Sequence, residues 1–441
     1  MLERVFHLSS NGTSVRTELV AGVTTFLTMA YIIFVQPAVL SAAGMDFGAV
    51  LVATCLASAL ATLMMALFAN YPIAVAPAMG HNFFFAYTVC VGMKVPWQVA
   101  LGAVAIAGAL FIATAGVGLR ERLITAIPES LQHGIAVGIG LLVALVGLQW
   151  AGLVVDSPGT LVTLGPVASP PALLSLFGLL VMGILTARRV PGALLIGIAL
   201  STVVGLASGL VRYQGLVSTP PSLAPTFLEL DIAGAFAPAM LPVIFVFFFL
   251  ALFDSVGTLV GVANQAGLMR NGVLPRAPQA FLADAAGTVA GAALGTSTVT
   301  AYIESSTGVA AGGRTGLANV VTATLFLLSI FFFPLVQMIG GGYPAAGGRT
   351  LYPIVAPALV LVGTMMMPGV RRIAWDDATE SIPAFLTMVM MPLTVSITDG
   401  IAFGFISYAV LKPATGRARD VHWLVYLFAL LLALRYAFLM R

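Results

Sequence analysis

The stretch Gly295-Thr296-Ser297-Thr298-Val299-Thr300-Ala301-Tyr302-Ile303-Glu304-Ser305 decides how this chain is read. The hydroxyl-bearing, β-branched residues Ser297, Thr298, Val299 and Thr300 favour extended backbone over helix. Glu304 follows them, so the run 295–311 reads as a short extended piece leading into a half-helix. Backbone of this kind survives at membrane depth only where it is buried in protein or lines a cavity. A second run, 71–91, is interrupted in the same manner by Pro72, Pro77 and Gly80, and then carries Asn82.

Composition places both runs in a membrane. Of 441 residues, 60% are hydrophobic and only 8% charged, with a mean hydropathy of +1.06. Soluble domains hold roughly 45–50% apolar and about 25% charged residues, so this chain lacks the polar residues to coat a water-facing surface. A soluble enzyme, a disordered protein and a nucleic-acid binder are excluded. Cys55 and Cys90 both sit in apolar runs, which excludes a disulfide scaffold, and a net charge of +3 is too small to signal nucleic acid.

A spanning helix needs roughly 20 apolar residues. The runs 19–42, 50–69, 99–117, 135–153 and 241–262 fit that length, and 173–187, 193–210, 280–294, 317–339, 356–367, 382–397 and 401–411 are shorter or punctuated. With the two broken runs this makes about fourteen crossings and predicts an all-α polytopic membrane protein. The run 423–440 holds Arg435 and is read either as a surface helix or as a further span. Residues 1–15 lack the order of a signal peptide, so no processing is expected.

Arginine and lysine placement predicts the orientation. With the N-terminus inside, Arg4, Arg16, Arg120, Arg122, Arg188, Arg189, Arg270, Arg276, Arg314, Arg371, Arg372, Lys412, Arg417 and Arg419 fall on the inner side, and Lys94, Arg212 and Arg349 on the outer. The reading is a multi-pass protein of the cell (inner or plasma) membrane with a cytoplasmic N-terminus.

The halves echo one another weakly. Leu56-Ala57-Ser58 resembles Leu282-Ala283-Asp284, which lays Thr28 near Asp254 and, after a small gap, Asn82 near Glu304. Paired interrupted segments at matching places point to a transporter binding site, and an odd number of spans per repeat makes the repeats inverted.

Asp254, Asp284 and Glu304 are the acids read inside apolar runs. An ionisable group there costs roughly 2.5–3.5 kcal/mol on the insertion scale and by default marks function; a structural hydrogen bond is the competing reading, most evenly balanced for Asp284. Burial disfavours the charged form of a carboxylate, so such a group can take a proton on one side and release it on the other. It can also hydrogen-bond a neutral heterocycle with N–H and C=O edges, and half-helix N-termini add backbone N–H donors. Asn82 is explained equally by ligand binding and by a contact between helices. Phe83, Phe84, Phe85, Tyr87 and Phe253 could stack on a planar base or simply pack. His81 adjoins the first broken run, where it is read as tuning the site or as a packed imidazole. The stretch from Gly308 to Gly313-Arg314-Thr315 imitates a phosphate-binding loop, but no strand-bearing nucleotide domain surrounds it. Gly138 and Gly140 read as close helix packing. The four histidines show no metal-ligand spacing.

At these residues the chain resembles a known family. Thr24-Thr25-Phe26-Leu27-Thr28-Met29-Ala30-Tyr31-Ile32-Ile33, Phe253-Asp254-Ser255-Val256-Gly257-Thr258-Leu259 and the stretch quoted first are similar to signatures of the AzgA-like (adenine/guanine/hypoxanthine) branch of nucleobase:cation symporter-2 permeases. So are Gly312-Gly313-Arg314-Thr315-Gly316, Ile382-Pro383-Ala384-Phe385-Leu386-Thr387 and Asp399-Gly400-Ile401-Ala402-Phe403-Gly404-Phe405-Ile406-Ser407-Tyr408; the resemblance runs over about residues 18–411. It implies a seven-plus-seven inverted repeat with core and gate domains. Residues 1–17 would be a cytoplasmic N-terminal segment, 18–120 the first half of the core, 121–211 the first half of the gate and 212–237 an extracytoplasmic loop. Residues 238–340 would complete the core, 351–412 the gate, and 413–441 would form a C-terminal segment.

The resemblance further implies uptake of purine bases (adenine, guanine, hypoxanthine or xanthine) with protons by alternating access. Substrate-binding positions fall on Asp254, Glu304 and Asn82, and Phe83, Phe253 and Thr300 complete the expected binding set. Asp254 and Glu304 are the proton-coupling candidates, with Glu304 favoured for the base, and His81, Asp284 and Ser305 are expected behind the site. No metal or cofactor is called for; protons are the coupling ion. The expected partners are a small purine base and membrane lipid, not nucleic acid, with a homodimer as the candidate assembly. Two positions depart from the family pattern, which usually has an aliphatic residue at His81 and a small one at Phe83, so the exact base stays open. Rival readings are carriage of another nucleobase (uracil) or a small anion on the same fold, a membrane-embedded enzyme, and a channel. Two acids suit an anion poorly, and the sequence offers no nucleophile or metal set for an enzyme.

Overall fold

A computed structural model describes residues 2–115, 127–269, 274–345 and 349–438. Arg120, Arg122 and Arg270, used above for orientation, lie outside the described residues, as do the side chain of Arg435 and the 120/121 boundary.

The first half of the chain forms α1 (Val15–Met29), α2 (Ile32–Ser41), α3 (Phe47–Met64), β1 (Val75–Pro77), α4 (Met79–Phe83), α5 (Trp97–Ala115), α6 (Glu129–Trp150), α7 (Pro170–Ala187) and α8 (Ala193–Ala207). A hairpin of β2 (Val154–Ser157) and β3 (Leu161–Leu164) follows α6. The second half forms α9 (Leu241–Gln265), α10 (Ala277–Leu294), β4 (Val299–Ala301), α11 (Ser305–Ala310), α12 (Gly316–Ser329), α13 (Phe333–Gly340), α14 (Ala356–Met366), α15 (Ala378–Thr394) and α16 (Ile397–Ala414). Two short strands, β5 (Tyr343–Pro344) and β6 (Thr350–Leu351), precede α14. The last element, α17 (Trp423–Phe438), packs on α16 and α9.

Taking α1 with α2 and α12 with α13 as single crossings, each half contributes seven, in a seven-plus-seven inverted repeat. Among the described residues, seven helical stretches are long and apolar enough to cross a membrane unaided. The others are short or broken because neighbouring helices, rather than their own hydropathy, hold them in place.

The helix starts follow from capping chemistry. The side chains of Ser14, Asp46, Thr315, Asp377 and Ser396 each accept a backbone N–H from the first turn of α1, α3, α12, α15 and α16. Packing falls into two groups. In one, α1, α3, α5, α9, α10, α11 and α12 pack together: α10 lies on α5 and α3, and α12 lies on α1 and α3. In the other, α6 is packed by α14 and α15, α15 by α16, and α7 by α8 and α14. Glycines permit the closest approaches. A Cβ at Gly138 would fall 2.6 Å from Met391 Sδ, and one at Gly140 would fall 2.8 Å from Met366 Cβ.

The two broken runs meet at the centre. β1 and β4 pair antiparallel with Val75 opposite Ala301, Ala76 opposite Thr300 and Pro77 opposite Val299. Ala78 N–H donates to Thr298 O at 2.9 Å and Tyr302 N–H to Ala74 O at 2.9 Å, so the arms satisfy one another's backbone where no water can. Pro77 has no N–H to give and disfavours helical backbone at Ala76 before it, which keeps the arm extended there.

Candidate functional site

The arms end in helix starts, and the space between those starts is a cavity of about 170 Å³. Ala78, Met79 and Gly80 line it from the first arm, and Thr300, Ala301, Tyr302, Ile303 and Glu304 from the second. Tyr31 closes it where α1 gives way to α2, Asp254 and Thr258 face it from α9, and Val362, Met365 and Met366 form the wall contributed by α14. The two carboxylates singled out on cost grounds therefore arrive at one cavity from separate elements. Asp254 is exposed and Glu304 half-buried.

Each acid is positioned by a hydroxyl. Tyr31 Oη donates to Glu304 Oε1 at 2.8 Å, and Thr300 Oγ1 donates to Asp254 Oδ2 at 3.1 Å. Thr28 Oγ1 and Thr307 Oγ1 lie 3.0 Å apart beneath Glu304, and Thr307 Oγ1 donates to Glu304 O at 2.7 Å. Thr28 and Asn82, which the internal repeat lays over Asp254 and Glu304, thus both flank the site without contributing a charge.

Behind this layer a polar framework ties the arms down. Ser255 Oγ donates to Asp284 Oδ2, joining α9 to α10 next to Asp254. Ser305 Oγ accepts Ala74 N–H at 2.9 Å. Gln36 Nε2 donates to Ser297 Oγ at 3.1 Å, and Ser297 Oγ donates to Asn82 Oδ1. Tyr302 Oη donates to Pro77 O at 2.5 Å.

Not every expected residue faces the cavity. Asn82 is fully buried and turned to Ser297, one turn behind the lining, and its Nδ2 has no hydrogen-bond partner among the described residues. His81 is buried and does not line the cavity either. Phe83 and Phe253, expected as stacking surfaces, are not among the residues that line the cavity. Phe83 lies against Tyr87 and Trp150, with ring centroids 5.7 Å and 6.4 Å away, because the helix carries it round from the cavity side. Phe253 packs on Phe249 at 4.5 Å.

Sequence reasoning missed Tyr31, Tyr302, Thr258 and the α14 methionines as lining. For Tyr31 a signal existed: a hydroxyl-bearing ring inside an apolar run, immediately after Thr24, Thr25 and Thr28. It also missed two buried charges. Glu18 is wholly buried and accepts N–H groups from Arg314 at 2.8 Å, Thr315 at 3.3 Å and Ala318 at 3.2 Å. Lys412, 1% exposed, pairs with Glu380 at 2.7 Å. The imitation phosphate loop resolves into this same junction: Arg314 Nη1 donates to the carbonyls of Val309 and Gly313, capping α11.

Paired broken segments, inverted halves and two acids facing a central cavity define a multi-pass membrane carrier. A model of the Permease family (Xan_ur_permease) matches residues 16–403, and the chain belongs to that family. It is 48% identical to the adenine permease AdeP of Escherichia coli, over 100% of this chain and 96% of that one. It is 45% identical to the guanine/hypoxanthine permease PbuG of Bacillus subtilis, over 96% and 97%. In fold it is similar to the transmembrane domain of a cyanobacterial bicarbonate transporter, BicA, with a TM-score of 0.62 over 88% of this chain and 97% of that one at 17% identity. The chain is a permease, not an enzyme.

Proposed function

We propose that this permease takes up purine nucleobases with protons by alternating access, and that the base sits between Asp254 and Glu304. The observation that carries the reading is the convergence of these two acids on one cavity, each held by a hydroxyl donor from another element. A purine presents N–H donors and ring-nitrogen or carbonyl acceptors on one edge. A carboxylate accepts from the first, and the same group when protonated donates to the second. Glu304 is assigned to the base, with Thr300 and the Asp254 carboxylate completing the edge. One of the two acids carries the coupling proton.

The relatives named for adenine and for guanine/hypoxanthine support a purine. Among the described residues, none that lines the cavity is basic, so the anion reading has no cation there to rest on. The group of helices around α9, α10 and α12 acts as the core and the group around α6, α14 and α15 as the gate. The N-terminus lies on the cytoplasmic side, as the arginines predict. Asn82, His81, Asp284 and Ser305 act on the arms from behind rather than on the base.

Radiolabelled hypoxanthine and adenine uptake by Asp254→Asn and Glu304→Gln tests this reading, with and without a protonophore. Loss in both variants, and loss of wild-type accumulation with the protonophore, is expected. Wild-type uptake in both variants would overturn the site, and uptake indifferent to the protonophore would overturn the coupling.

A further inference from the structure

Phe83, displaced from the base-binding role, begins a column of rings that crosses from one helix group to the other. Its ring is nearly parallel to that of Tyr87 (14° between planes), and both belong to the half-helix that starts with α4 and continues to Gly92 against α2 and α5. Trp150, the last residue of α6, meets Phe83 at 6.4 Å and Tyr352 at 4.2 Å. Tyr352 directly precedes the turn into α14, and its N–H donates to Trp150 O at 2.9 Å. A single polar bond spans the two groups within the column: Trp150 Nε1 donates to Tyr87 Oη at 3.0 Å. Thr88 Oγ1 donates to Val395 O at 3.3 Å beside it, a second bond of the half-helix to the turn between α15 and α16.

The column stands at the end of the molecule where the half-helix runs out two residues before Lys94 and where Arg349 lines a cavity with Trp150. Toward the C-terminal end of α9, the face that bears Asp254 is uncovered. Asp254, Gly257, Gly261 and Asn264 form an exposed line on α9, and a Cβ at Gly257 or Gly261 would meet nothing within 4 Å. Met365, in the facing wall, is 45% exposed. One end is therefore packed with rings while the other leaves the acids accessible.

We propose that Phe83, Tyr87, Trp150 and Tyr352 are the gate that closes the binding cavity toward the outside, with the Trp150–Tyr87 bond as its latch. Aromatic pairs contribute beyond their buried area and have preferred geometries, so the column has a defined closed state. It opens when the group bearing Trp150 and Tyr352 moves away from the half-helix bearing Phe83 and Tyr87. The inference rests on the carrier reading and on the orientation with the N-terminus inside, but not on which solute is carried.

The test uses the full chain with Cys55→Ala and Cys90→Ala, and Met365→Cys as reporter in the cavity wall. A membrane-impermeant thiol reagent is applied to intact cells and, separately, to inverted vesicles. The reporter should react readily in inverted vesicles and slowly in intact cells. Trp150→Ala should raise the intact-cell rate several-fold, and Trp150→Phe, which keeps a ring but loses the donor, should raise it less. Retained labelling in inverted vesicles shows that each variant is folded; if Trp150→Ala loses it, Trp150→Phe and Tyr87→Phe are read instead. Equal labelling from both sides in the parent, or an unchanged intact-cell rate in the folded Trp150 variants, would overturn the gate. A changed rate in a protein that carries no purine would overturn the substrate and leave the gate standing.

Discussion

Thr62 and Thr288 hold the two extended arms by the same pair of hydrogen bonds. Thr62 Oγ1 donates to Val75 O at 2.9 Å and accepts Val75 N–H at 3.0 Å. Thr288 Oγ1 donates to Val299 O at 2.7 Å and accepts Val299 N–H at 3.3 Å. Both threonines stand four residues beyond the echo of Ser58 and Asp284, so the weak internal repeat becomes a repeated anchoring device. Thr→Val keeps the volume and strands a buried N–H and C=O, at a cost of about 1–3 kcal/mol per orphaned group. Thr62→Val and Thr288→Val should therefore each lower the melting temperature of the purified permease in detergent and reduce uptake. Unchanged melting in both would show that the strand pairing alone holds the arms.

Glu18 gives a second prediction. Its carboxylate accepts three N–H groups at the beginning of α12, where the helix dipole also favours negative charge. Glu18→Ala leaves those donors buried without partners and should destabilise by a few kcal/mol; Glu18→Gln, which can still accept, should cost less. Since Glu18 is remote from the cavity, the surviving transporter should keep its KM for the base while active protein falls. A raised KM at constant abundance would contradict a structural role.

What the chain disclosed in advance depended on whether a residue carried an energetic signature. Asp254 and Glu304 stood out because charge inside an apolar run is costly wherever it ends up. The arms stood out because Pro72, Pro77 and the β-branched run around Val299 resist helix. Tyr302 carries no such signature, as an aromatic ring is at home in any apolar run; Tyr31 carries only the weak one of a hydroxyl close after three threonines, and it is the break between α1 and α2 that turns it to the site. Glu18 adjoined a run rather than standing inside one, and its burial depends on α12 arriving from about 300 residues away in sequence. Phe83 misled for the opposite reason: it neighbours Asn82 in sequence, but successive helical residues point about 100° apart, and it faces Trp150.

Where α15 begins and α16 ends, Lys412 lies between Glu380 at 2.7 Å and Asp377 at 3.8 Å, and Arg417 meets Asp377 at 2.5 Å. Removing one partner of a buried pair leaves the other uncompensated, so Lys412→Met should cost about 3 kcal/mol, while Lys412→Met with Glu380→Leu should recover part of it. A double variant no better than the single would show that packing, not charge, is at stake. The Thr379 hydroxyl and then the Arg417 guanidinium hold the Asp377 carboxyl well below the usual carboxylate range. The stability it contributes is present above the unfolded carboxylate value of about 3.9 and is lost as pH falls through the lower folded value. Melting curves of wild type and Asp377→Asn should hence stay a constant distance apart from neutral pH down to about 4, then converge.

Tyr31 offers the most direct probe of the acid pair. Its hydroxyl is 2.8 Å from Glu304 Oε1, its side chain is 1% exposed, and it comes from the point where the first crossing is interrupted. The bond fixes which way the Glu304 carboxyl faces and occupies one of its oxygens, leaving Oε2 for an incoming N–H. Hydrogen bonds to charged groups are worth about 1.5–3 kcal/mol. Tyr31→Phe should therefore raise the KM for the base by roughly ten-fold or more, since the donor that orients the Glu304 carboxyl is gone. Maximal rate should fall less than affinity, because no step of the alternation passes through the hydroxyl itself. Tyr31→Phe with wild-type KM would mean that Glu304 is held by its backbone, through Thr307, and that the base is read at Asp254.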